Sequence, residues 1–196
     1  GPVLLLLHGT GGGPRDLLPL AGLLRPGAPT LAPRGPERES GATRWFRRLG
    51  EGVFDEDDVR LRAEQLAGFV VDARRRHRLD DRPIVAVGFS NGANIAAATL
   101  QLRPDALREA VLFSAMAPLT EAPCHDLRCS RIFLSGGERD PMAPRVAADR
   151  LVAELRRAGA EVTEHRHAGG HTVTAEGVEA AREWLASRYA AGTETG

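Results

Sequence analysis

A serine between two glycines is the strongest chemical signal in the sequence. The segment Gly88-Phe89-Ser90-Asn91-Gly92 follows a short apolar run and precedes small and apolar residues typical of a buried helix. A strand that turns directly into a helix crowds its corner residue, and flanking glycines remove the side chains that would clash there. The pattern therefore predicts a sharp elbow that exposes the Ser90 hydroxyl as a nucleophile. The alternative is a glycine-rich turn that contains a serine by chance.

An acid should stand further along the chain. A serine hydroxyl needs a base to remove its proton, and the base needs a carboxylate that orients it. Where the nucleophile lies on an elbow of this type, the order of the catalytic residues along the chain is serine, acid, histidine. Catalytic residues of α/β folds lie in loops that follow the carboxyl ends of strands. Asp140 follows a predicted strand at 131–135 and a glycine turn, so it is our candidate acid. Its alternatives are a turn aspartate or a helix N-cap, and Glu138 is the second candidate acid.

The candidate base is His171. It lies in a glycine loop between a predicted strand near 161–165 and the final helix, which is the position that the chain order requires. His165 and His167 are nearer the strand body, which favours structural roles. His77 belongs to an exposed helix end, and His125 has no strand before it.

Two backbone N–H groups should stabilise the negative charge that develops on the substrate oxygen. One is expected from Asn91, directly after the nucleophile, and the other from the loop after the first strand, where Thr10 is our candidate. That loop is rich in glycine, so a phosphate site is the alternative. It lacks a correctly phased Gly-x-Gly-x-x-Gly and a Gly-Lys-Ser/Thr ending, which disfavours a nucleotide.

Composition excludes several other functions. The 196 residues carry 26 basic and 26 acidic side chains, so the net charge of zero offers no electrostatic case for binding nucleic acid or an anionic membrane. The longest apolar run, at 3–7, is far too short to span a bilayer. Two cysteines are too few for a disulfide framework or a paired zinc site and suggest a reducing cytoplasm. We expect no cofactor and no metal. All basic residues are arginine, a bias that indicates a GC-rich bacterial genome.

The elements that must position these residues alternate along the chain. Apolar runs at 3–7, 84–87, 110–113 and 131–135 read as buried strands, with further strands near 30–32 and 161–165. Apolar residues at helical spacing recur between them, at 59–73, 146–158 and 178–189. This alternation predicts a single α/β domain over residues 1–196, with a mostly parallel sheet and helices on both faces.

Two irregular segments, 34–54 and 114–128, fall near the predicted site. A long loop inside a compact domain commonly lines a substrate pocket. Their apolar side chains and one in the acid loop are therefore candidate substrate-binding residues, with core packing as the equal alternative: Trp45, Phe46, Met116, Leu119 and Met142.

With these residues in view, the chain resembles the phospholipase/carboxylesterase family of α/β-hydrolases, also described as dienelactone-hydrolase-like. The resemblance covers nearly the whole chain. It rests on Leu7-His8-Gly9-Thr10-Gly11-Gly12, on Gly88-Phe89-Ser90-Asn91-Gly92-Ala93, on the turn around Asp140-Pro141 and on Gly169-Gly170-His171. The stretch Arg44-Trp45-Phe46-Arg47-Arg48-Leu49 is similar to a bacterial hydroquinone-stress carboxylesterase branch. The resemblance implies an α/β-hydrolase fold without a large lid and a Ser90, Asp140 and His171 triad, with Thr10 and Asn91 as oxyanion donors.

Two departures and one expectation accompany this resemblance. Many family members have glutamine at the position of Asn91, which changes the subfamily assignment but leaves the backbone donor. Dienelactone hydrolases use a cysteine nucleophile, so Ser90 argues against that activity. Because the sequence begins directly in a strand, leading edge strands of the family are expected to be absent or very short here.

These expectations lead to a serine carboxylesterase that hydrolyses short-chain acyl or aryl esters through an acyl-enzyme. An acyl-protein thioesterase or a lysophospholipase is the alternative, and it would need a groove for a long acyl chain. A non-catalytic receptor on the same fold would be expected to have lost a triad residue or the oxyanion glycines. The expected partner is a small ester substrate. A homodimer is compatible with the sequence, which contains no argument for one.

Overall fold

The computed structural model describes residues 1–190. The strands are β1 (Val3–Leu7), β2 (Thr30–Leu31), β3 (Glu37–Glu39), β4 (Ala42–Arg44), β5 (Arg48–Gly50), β6 (Val53–Phe54), β7 (Ile84–Phe89), β8 (Glu109–Phe113), β9 (Arg131–Gly137) and β10 (Glu161–His167). The helices are α1 (Leu18–Leu24), α2 (Glu56–Arg76), α3 (Asn91–Leu102), α4 (Arg145–Arg157) and α5 (Ala175–Arg188).

Six of the strands form one parallel sheet in the order β10-β9-β8-β7-β1-β2. From β1 the chain moves outward to β2 and then returns to β7 on the other side of β1, so the strand order reverses between β1 and β7. Leu7 pairs with Gly88 in the register of these two strands. The loops that leave β1 and β7 therefore start side by side, at the switch point where open α/β sheets place their ligands.

Helices cover both faces of the sheet, as the alternating pattern predicted. Leu5 and Leu7 point to a core shared with α2, α3 and α4, whereas Leu4 and Leu6 point to a core shared with α1 and α5. All five residues of β1 are buried because a central parallel strand is covered on both sides. The continuous apolar runs of β1, β7 and β8 follow from the same requirement.

Segment 34–54 is more regular than the predicted loop. It contains two small antiparallel hairpins, β3 with β4 and β5 with β6. Their turns use left-handed backbone at Ser40, Gly41 and Gly52, with φ of 48°, 84° and 70°. Strands of two or three residues carry too few alternating side chains to be recognised from their pattern, so the sequence analysis missed them.

The predicted helical faces are correct in part. In α2 all five residues of the predicted stripe, Val59 to Ala73, are buried. In α4 the predicted face was Ala147, Leu151, Leu155 and Ala158. Leu151 and Leu155 are buried as predicted, together with Ala148 and Val152, whereas Ala147 and Ala158 are only partly buried. None of the described helices is long and apolar enough to cross a membrane.

Candidate active site

Ser90 occupies the sharp turn between β7 and α3. Its backbone has φ 54° and ψ −116°, a conformation that non-glycine residues rarely adopt. Two backbone hydrogen bonds hold it there: Ser90 N–H donates to Phe113 O at 2.9 Å, and Asn94 N–H donates to Ser90 O at 2.9 Å. The adjacent strand and the first turn of α3 therefore stabilise the strained residue, and its half-buried side chain reaches the cavity.

The two glycines around Ser90 are required by close backbone contacts. A Cβ on Gly88 would lie 2.7 Å from Ala93 N and Gly92 O. A Cβ on Gly92 would overlap the carbonyl groups of Leu7 and His8, at the end of β1. The absence of side chains at these positions lets α3 start directly against the end of β1.

A continuous chain of hydrogen bonds connects the three residues predicted to form a triad. His171 Nε2 lies 2.8 Å from Ser90 Oγ, and His171 Nδ1 lies 2.7 Å from Asp140 Oδ2. An ionised Asp140 can only accept, so Nδ1 carries the proton of the neutral imidazole. Nε2 is then the acceptor for the Ser90 hydroxyl, which is the arrangement needed for general-base catalysis.

Asp140 is positioned by its own loop. Its other carboxylate oxygen, Oδ1, accepts from Met142 N–H at 2.8 Å and from Ala143 N–H at 2.9 Å. The residue is 5% exposed, so these bonds satisfy a carboxylate that water scarcely reaches. The carboxylate therefore has a fixed orientation toward His171. Glu138, the second candidate acid, forms an ion pair with Arg145 near the surface.

The acid turn and the histidine loop are joined along their backbones. Glu138 N–H donates to His167 O at 2.8 Å, and Arg139 N–H donates to Gly169 O at 3.0 Å. The carbonyl groups of the histidine loop also approach Gly137 so closely that a Cβ there would overlap them. Since β9 and β10 are neighbours in the sheet, these contacts extend their pairing past the strand ends and set the distance between Asp140 and His171.

Two backbone donors face the same region. No acceptor for Thr10 N–H or for Asn91 N–H lies within residues 1–190. Asn91 is the first residue of α3, where the helix dipole is positive. Thr10 belongs to the loop after β1, which starts beside the elbow, and both residues line the cavity that contains Ser90 and His171. An anionic oxygen at this point could accept from both N–H groups.

The cavity beside Ser90 has a volume of about 120 Å³. It is lined by Thr10, Arg44, Arg48, Glu51, Gly52, Phe54, Ser90, Asn91, Asn94, Ser114, Met116, Met142, Ala143 and His171. Met116 and Met142 line the cavity, and a substrate-binding role for them stays a prediction. In the described part of the chain, no cluster of three or more His, Cys, Asp or Glu side chains could hold a metal ion.

The other three predicted pocket residues are core residues. Trp45, Phe46 and Leu119 are no more than 3% exposed, and none of them lines the cavity. The Trp45 indole N–H donates to His8 O at 2.8 Å, and its ring packs against the His8 imidazole. The structure therefore places these three side chains in the core, which was the equal alternative to a pocket role. Trp45 and Phe46 fix the 34–54 segment to the core, and Leu119 fixes the 114–128 segment.

Polar side chains tie both irregular segments to the elbow. Asn91 Oδ1 accepts from Trp45 N–H at 2.7 Å, and Asn94 Oδ1 accepts from Met116 N–H at 3.0 Å. His8 Nε2 accepts from Gly35 N–H at 3.0 Å and so connects the loop after β1 to the start of the 34–54 segment. The first turn of α3 therefore positions the cavity walls as well as the nucleophile.

Arg44 and Ser114 are two of the cavity residues that the sequence analysis missed. Arg44 is 3% exposed, and its Nη1–H donates to Thr10 Oγ1 at 2.7 Å. The signal for it was an arginine directly before two buried aromatic residues in an otherwise polar segment. Ser114 follows β8 with φ 56°, a strain that no pattern in the sequence reveals.

With this geometry in view, comparisons with known proteins place the chain in a family. The model of the phospholipase/carboxylesterase family matches residues 2–188. The chain belongs to the phospholipase/carboxylesterase family. MhqD of Bacillus subtilis is 41% identical over 182 residues, which are 93% of this chain and 91% of MhqD.

Two solved carboxylesterase structures agree with the fold. The Bacillus cereus carboxylesterase has a TM-score of 0.91 and 42% identity, with 95% of this chain and 88% of that chain covered. A carboxylesterase from Mesorhizobium loti has a TM-score of 0.88 and 32% identity, with 94% and 88% covered. The fold is therefore that of an α/β-hydrolase, as predicted, and the protein is a hydrolase of the carboxylesterase family.

Proposed function

We propose that the protein is a serine carboxylesterase that hydrolyses short-chain acyl or aryl esters through an acyl-enzyme intermediate. The observation that carries the proposal is the hydrogen-bond chain from Asp140 Oδ2 through His171 to Ser90 Oγ, with distances of 2.7 and 2.8 Å. A serine is activated when a neutral imidazole can accept its proton and a buried carboxylate stabilises the imidazolium that results.

In the first half-reaction, Ser90 Oγ forms a bond to the ester carbonyl carbon as its proton moves to His171 Nε2. The carbonyl π electrons move to the oxygen, and the N–H groups of Thr10 and Asn91 donate to that oxyanion. The intermediate collapses when the C–O bond to the alcohol breaks and His171 Nε2–H protonates the departing oxygen. The acyl group is then esterified to Ser90.

In the second half-reaction, water attacks the acyl carbon and transfers a proton to His171 Nε2. The bond to Ser90 Oγ breaks, the serine regains the proton, and the carboxylic acid leaves. Asp140 remains ionised in both steps, and its Oδ2 accepts from His171 Nδ1–H throughout. The two backbone donors to its other oxygen keep the carboxylate in that orientation.

The size of the cavity supports short substrates. Its volume of about 120 Å³ holds a few carbon atoms beside Ser90, whereas a long acyl chain would have to extend over the surface. Met116 and Met142 supply the apolar contact for an acyl or aryl group, and Met142 is half exposed at the edge. Methionine adapts its shape readily, so several small groups could be accepted.

The test is hydrolysis of p-nitrophenyl acetate, butyrate and octanoate by the wild type and by Ser90→Ala. We expect kcat/KM to fall from the short esters to octanoate, and the substitution to lower the rate on the order of 10^3-fold or more. Circular dichroism of the variant controls for folding. Preference for octanoate would favour the thioesterase or lysophospholipase alternative. Equal inactivity of wild type and variant on all three esters would contradict esterase activity and leave the receptor alternative.

We also propose a cytoplasmic location. Cys124 and Cys129 are both free and exposed. Exposed thiols of this kind persist in a reducing compartment and are readily oxidised outside it. Cell fractionation checks this proposal, and recovery of the protein in an extracellular fraction would contradict it.

A further inference from the structure

The cavity beside Ser90 contains positive charge that the proposed triad does not use. Arg44 and Arg48 both line it, and the one acidic lining residue, Glu51, is exposed. Arg48 has its own partner, because its Nε–H donates to Glu39 Oε1 at 2.9 Å. Arg44 is the arginine whose charge lacks a comparable partner among the described residues.

Among the described groups, only neutral ones accept hydrogen bonds from the Arg44 guanidinium. Nε–H donates to Phe46 O at 3.1 Å and Nη1–H donates to Thr10 Oγ1 at 2.7 Å. The nearest carboxylate oxygen, Glu39 Oε2, is 3.8 Å from Nε, which is too far for a hydrogen bond. Within residues 1–190, Nη2 donates to no protein acceptor. The charge is therefore held in a fixed place but only weakly neutralised.

The electrostatic surroundings of Arg44 agree with this view. Burial lowers the pKa of Arg44, the adjacent Arg48 lowers it further, and Glu39 opposes both effects. The guanidinium nevertheless stays protonated, as arginine does in proteins. A buried charge without a full partner costs stability. A negatively charged substrate group would remove that cost when it binds.

Two more polar groups of the cavity are unpartnered. Asn91 Nδ2 is buried and has no acceptor, although Trp45 N–H fixes the side chain by donating to Oδ1. Ser114 Oγ is also buried without a partner. Both groups can donate a hydrogen bond, as Arg44 Nη2 can, and a ligand group with several acceptor oxygens would complement them.

We propose that this cavity selects esters that also carry a carboxylate, and that Arg44 binds this carboxylate with Asn91 Nδ2 as a further donor. The inference rests on the proposed esterase function and names its substrate class. A carboxylate has two oxygens and four acceptor positions, which suits a guanidinium fixed at Nε and Nη1 and an amide fixed at its oxygen. The small volume limits such substrates to short esters.

Pairs of esters matched in length test the proposal. Monoethyl glutarate against ethyl valerate places the carboxylate on the acyl side, and O-butyryl glycolate against ethyl butyrate places it on the alcohol side. Rates are measured by pH-stat titration at pH 8, where both carboxylates are ionised. We expect kcat/KM for the anionic ester to exceed that for the neutral ester by about tenfold or more in one pair. The pair that responds identifies the side of the ester bond that Arg44 serves.

Arg44→Met should lower the anionic-to-neutral ratio about tenfold in that pair, and Arg44→Lys should restore part of it. Arg44 also supports Thr10, but disturbance of that loop slows both esters equally and leaves the ratio unchanged. Arg47→Met is the matched control, because Arg47 is exposed, pairs with Asp55 and does not line the cavity. Its ratio should stay within about twofold of the wild type.

If Arg44→Met does not fold, the replacement test is inhibition of wild-type ethyl valerate hydrolysis by two ethylamides matched in length, anionic N-ethylglutaramate and neutral N-ethylvaleramide. Stronger inhibition by the anionic amide supports the proposal, and equal inhibition overturns it. A wild-type ratio of one or less in both pairs, or a ratio that Arg44→Met leaves unchanged, overturns the inference while the esterase function stands. Failure to hydrolyse any of the four esters overturns the proposed function and this inference with it.

Discussion

The two ends of the parallel sheet both bury polar side chains, but they arrange them differently. At the amino ends, Glu109 of β8 accepts from the Tyr189 hydroxyl at 2.7 Å and forms ion pairs with Arg188 at 3.2 Å and Arg131 at 3.8 Å. The Arg131 guanidinium also lies over the Trp184 ring, 4.7 Å from its centroid. Tyr189 and Arg188 thus converge on Glu109 Oε1, while Arg131 lies beyond hydrogen-bond distance of Oε2 and contributes through its charge.

At the carboxyl ends, the polar groups form a line with a direction. Asp140 accepts from His171, and His171 in turn can accept from Ser90, whose hydroxyl reaches the cavity. Asp140 orients His171, His171 orients Ser90, and the Ser90 hydroxyl can donate its proton. A converging cluster stabilises a fold, whereas a line of donors and acceptors that ends in a cavity can move a proton.

Cavity volume does not indicate which end of the sheet contains the functional site. The depression at the amino ends has a volume of about 770 Å³, against about 120 Å³ beside Ser90, and its lining includes Arg74, Asp80, Arg82 and Glu161. No strained backbone residue and no acid–base chain of the described residues faces it. Function is therefore better located by the geometry of neighbouring side chains than by volume or charge.

Asp140→Asn provides the sharpest test of the directional arrangement at the carboxyl end. The asparagine oxygen can keep the two backbone donors, so its NH₂ group faces His171 Nδ1. His171 must then accept at Nδ1 and carry its proton on Nε2, where it can no longer act as a base. We expect kcat to fall by about 10^3- to 10^4-fold with the fold intact. The rate of ester hydrolysis measures kcat, and circular dichroism shows whether the fold is intact.

Glu138→Gln is the matched control for this prediction. Glu138 lies in the same turn but pairs with Arg145 near the surface, so its loss should change kcat by no more than about twofold. Large losses from Glu138→Gln and small ones from Asp140→Asn would exchange the roles of the two acids and contradict the chain of hydrogen bonds as the catalytic unit.

The second prediction concerns the backbone that supports the nucleophile. Gly92→Ala forces a Cβ against the carbonyl groups at the end of β1, so we expect the free energy of unfolding to fall by about 3 kcal/mol or more. Gly68→Ala is the matched control, because nothing lies within 4 Å of its Cβ position in α2. That substitution should stabilise by about 0.5–1 kcal/mol. Urea unfolding measures both, and equal effects would contradict the close approach at the elbow.

Much of the arrangement at the carboxyl end follows from rules that act along the chain. Buried parallel strands require continuous apolar runs, and glycines mark the places where backbones approach closely, so strand ends can be read from the sequence. Ser90, Asp140 and His171 were selected because each follows such a strand, and the structure brings their side chains together. The parallel sheet and its two helical layers are confirmed for the same reason.

The cavity walls could not be predicted in this way. Trp45, Phe46 and Leu119 are apolar residues in irregular segments, and sequence alone does not reveal whether such a side chain faces the core or the substrate. Which way such a side chain faces depends on tertiary hydrogen bonds, such as the one from Trp45 N–H to Asn91 Oδ1. Arg44 was missed because a charged residue is expected at the surface, and only tertiary contacts show that it is buried.

The smallest expected effects belong to the converging cluster at the amino ends. Tyr189→Phe removes the hydrogen bond to Glu109, which keeps Arg188 and Arg131 as partners, so stability should fall by only about 1 kcal/mol. Ester hydrolysis should not change, since Tyr189 lies at the opposite end of the sheet from Ser90. A loss of activity comparable to that of Asp140→Asn would show that the two ends are coupled and would contradict their separation.

The same tyrosine gives a pH test. Burial, followed by the hydrogen bond and charge of Glu109, raises the pKa of Tyr189 to about 12, above the unfolded value of about 10. The resulting stabilisation is complete below pH 10 and is lost as the pH rises toward 12, because the unfolded chain releases the proton first. The chain has a single tyrosine, so phenolate absorbance reports this group directly. Wild type should lose more stability than Tyr189→Phe between pH 10 and 12. A phenolate transition near pH 10 in the folded protein would contradict a raised pKa of Tyr189 and the stabilisation that follows from it.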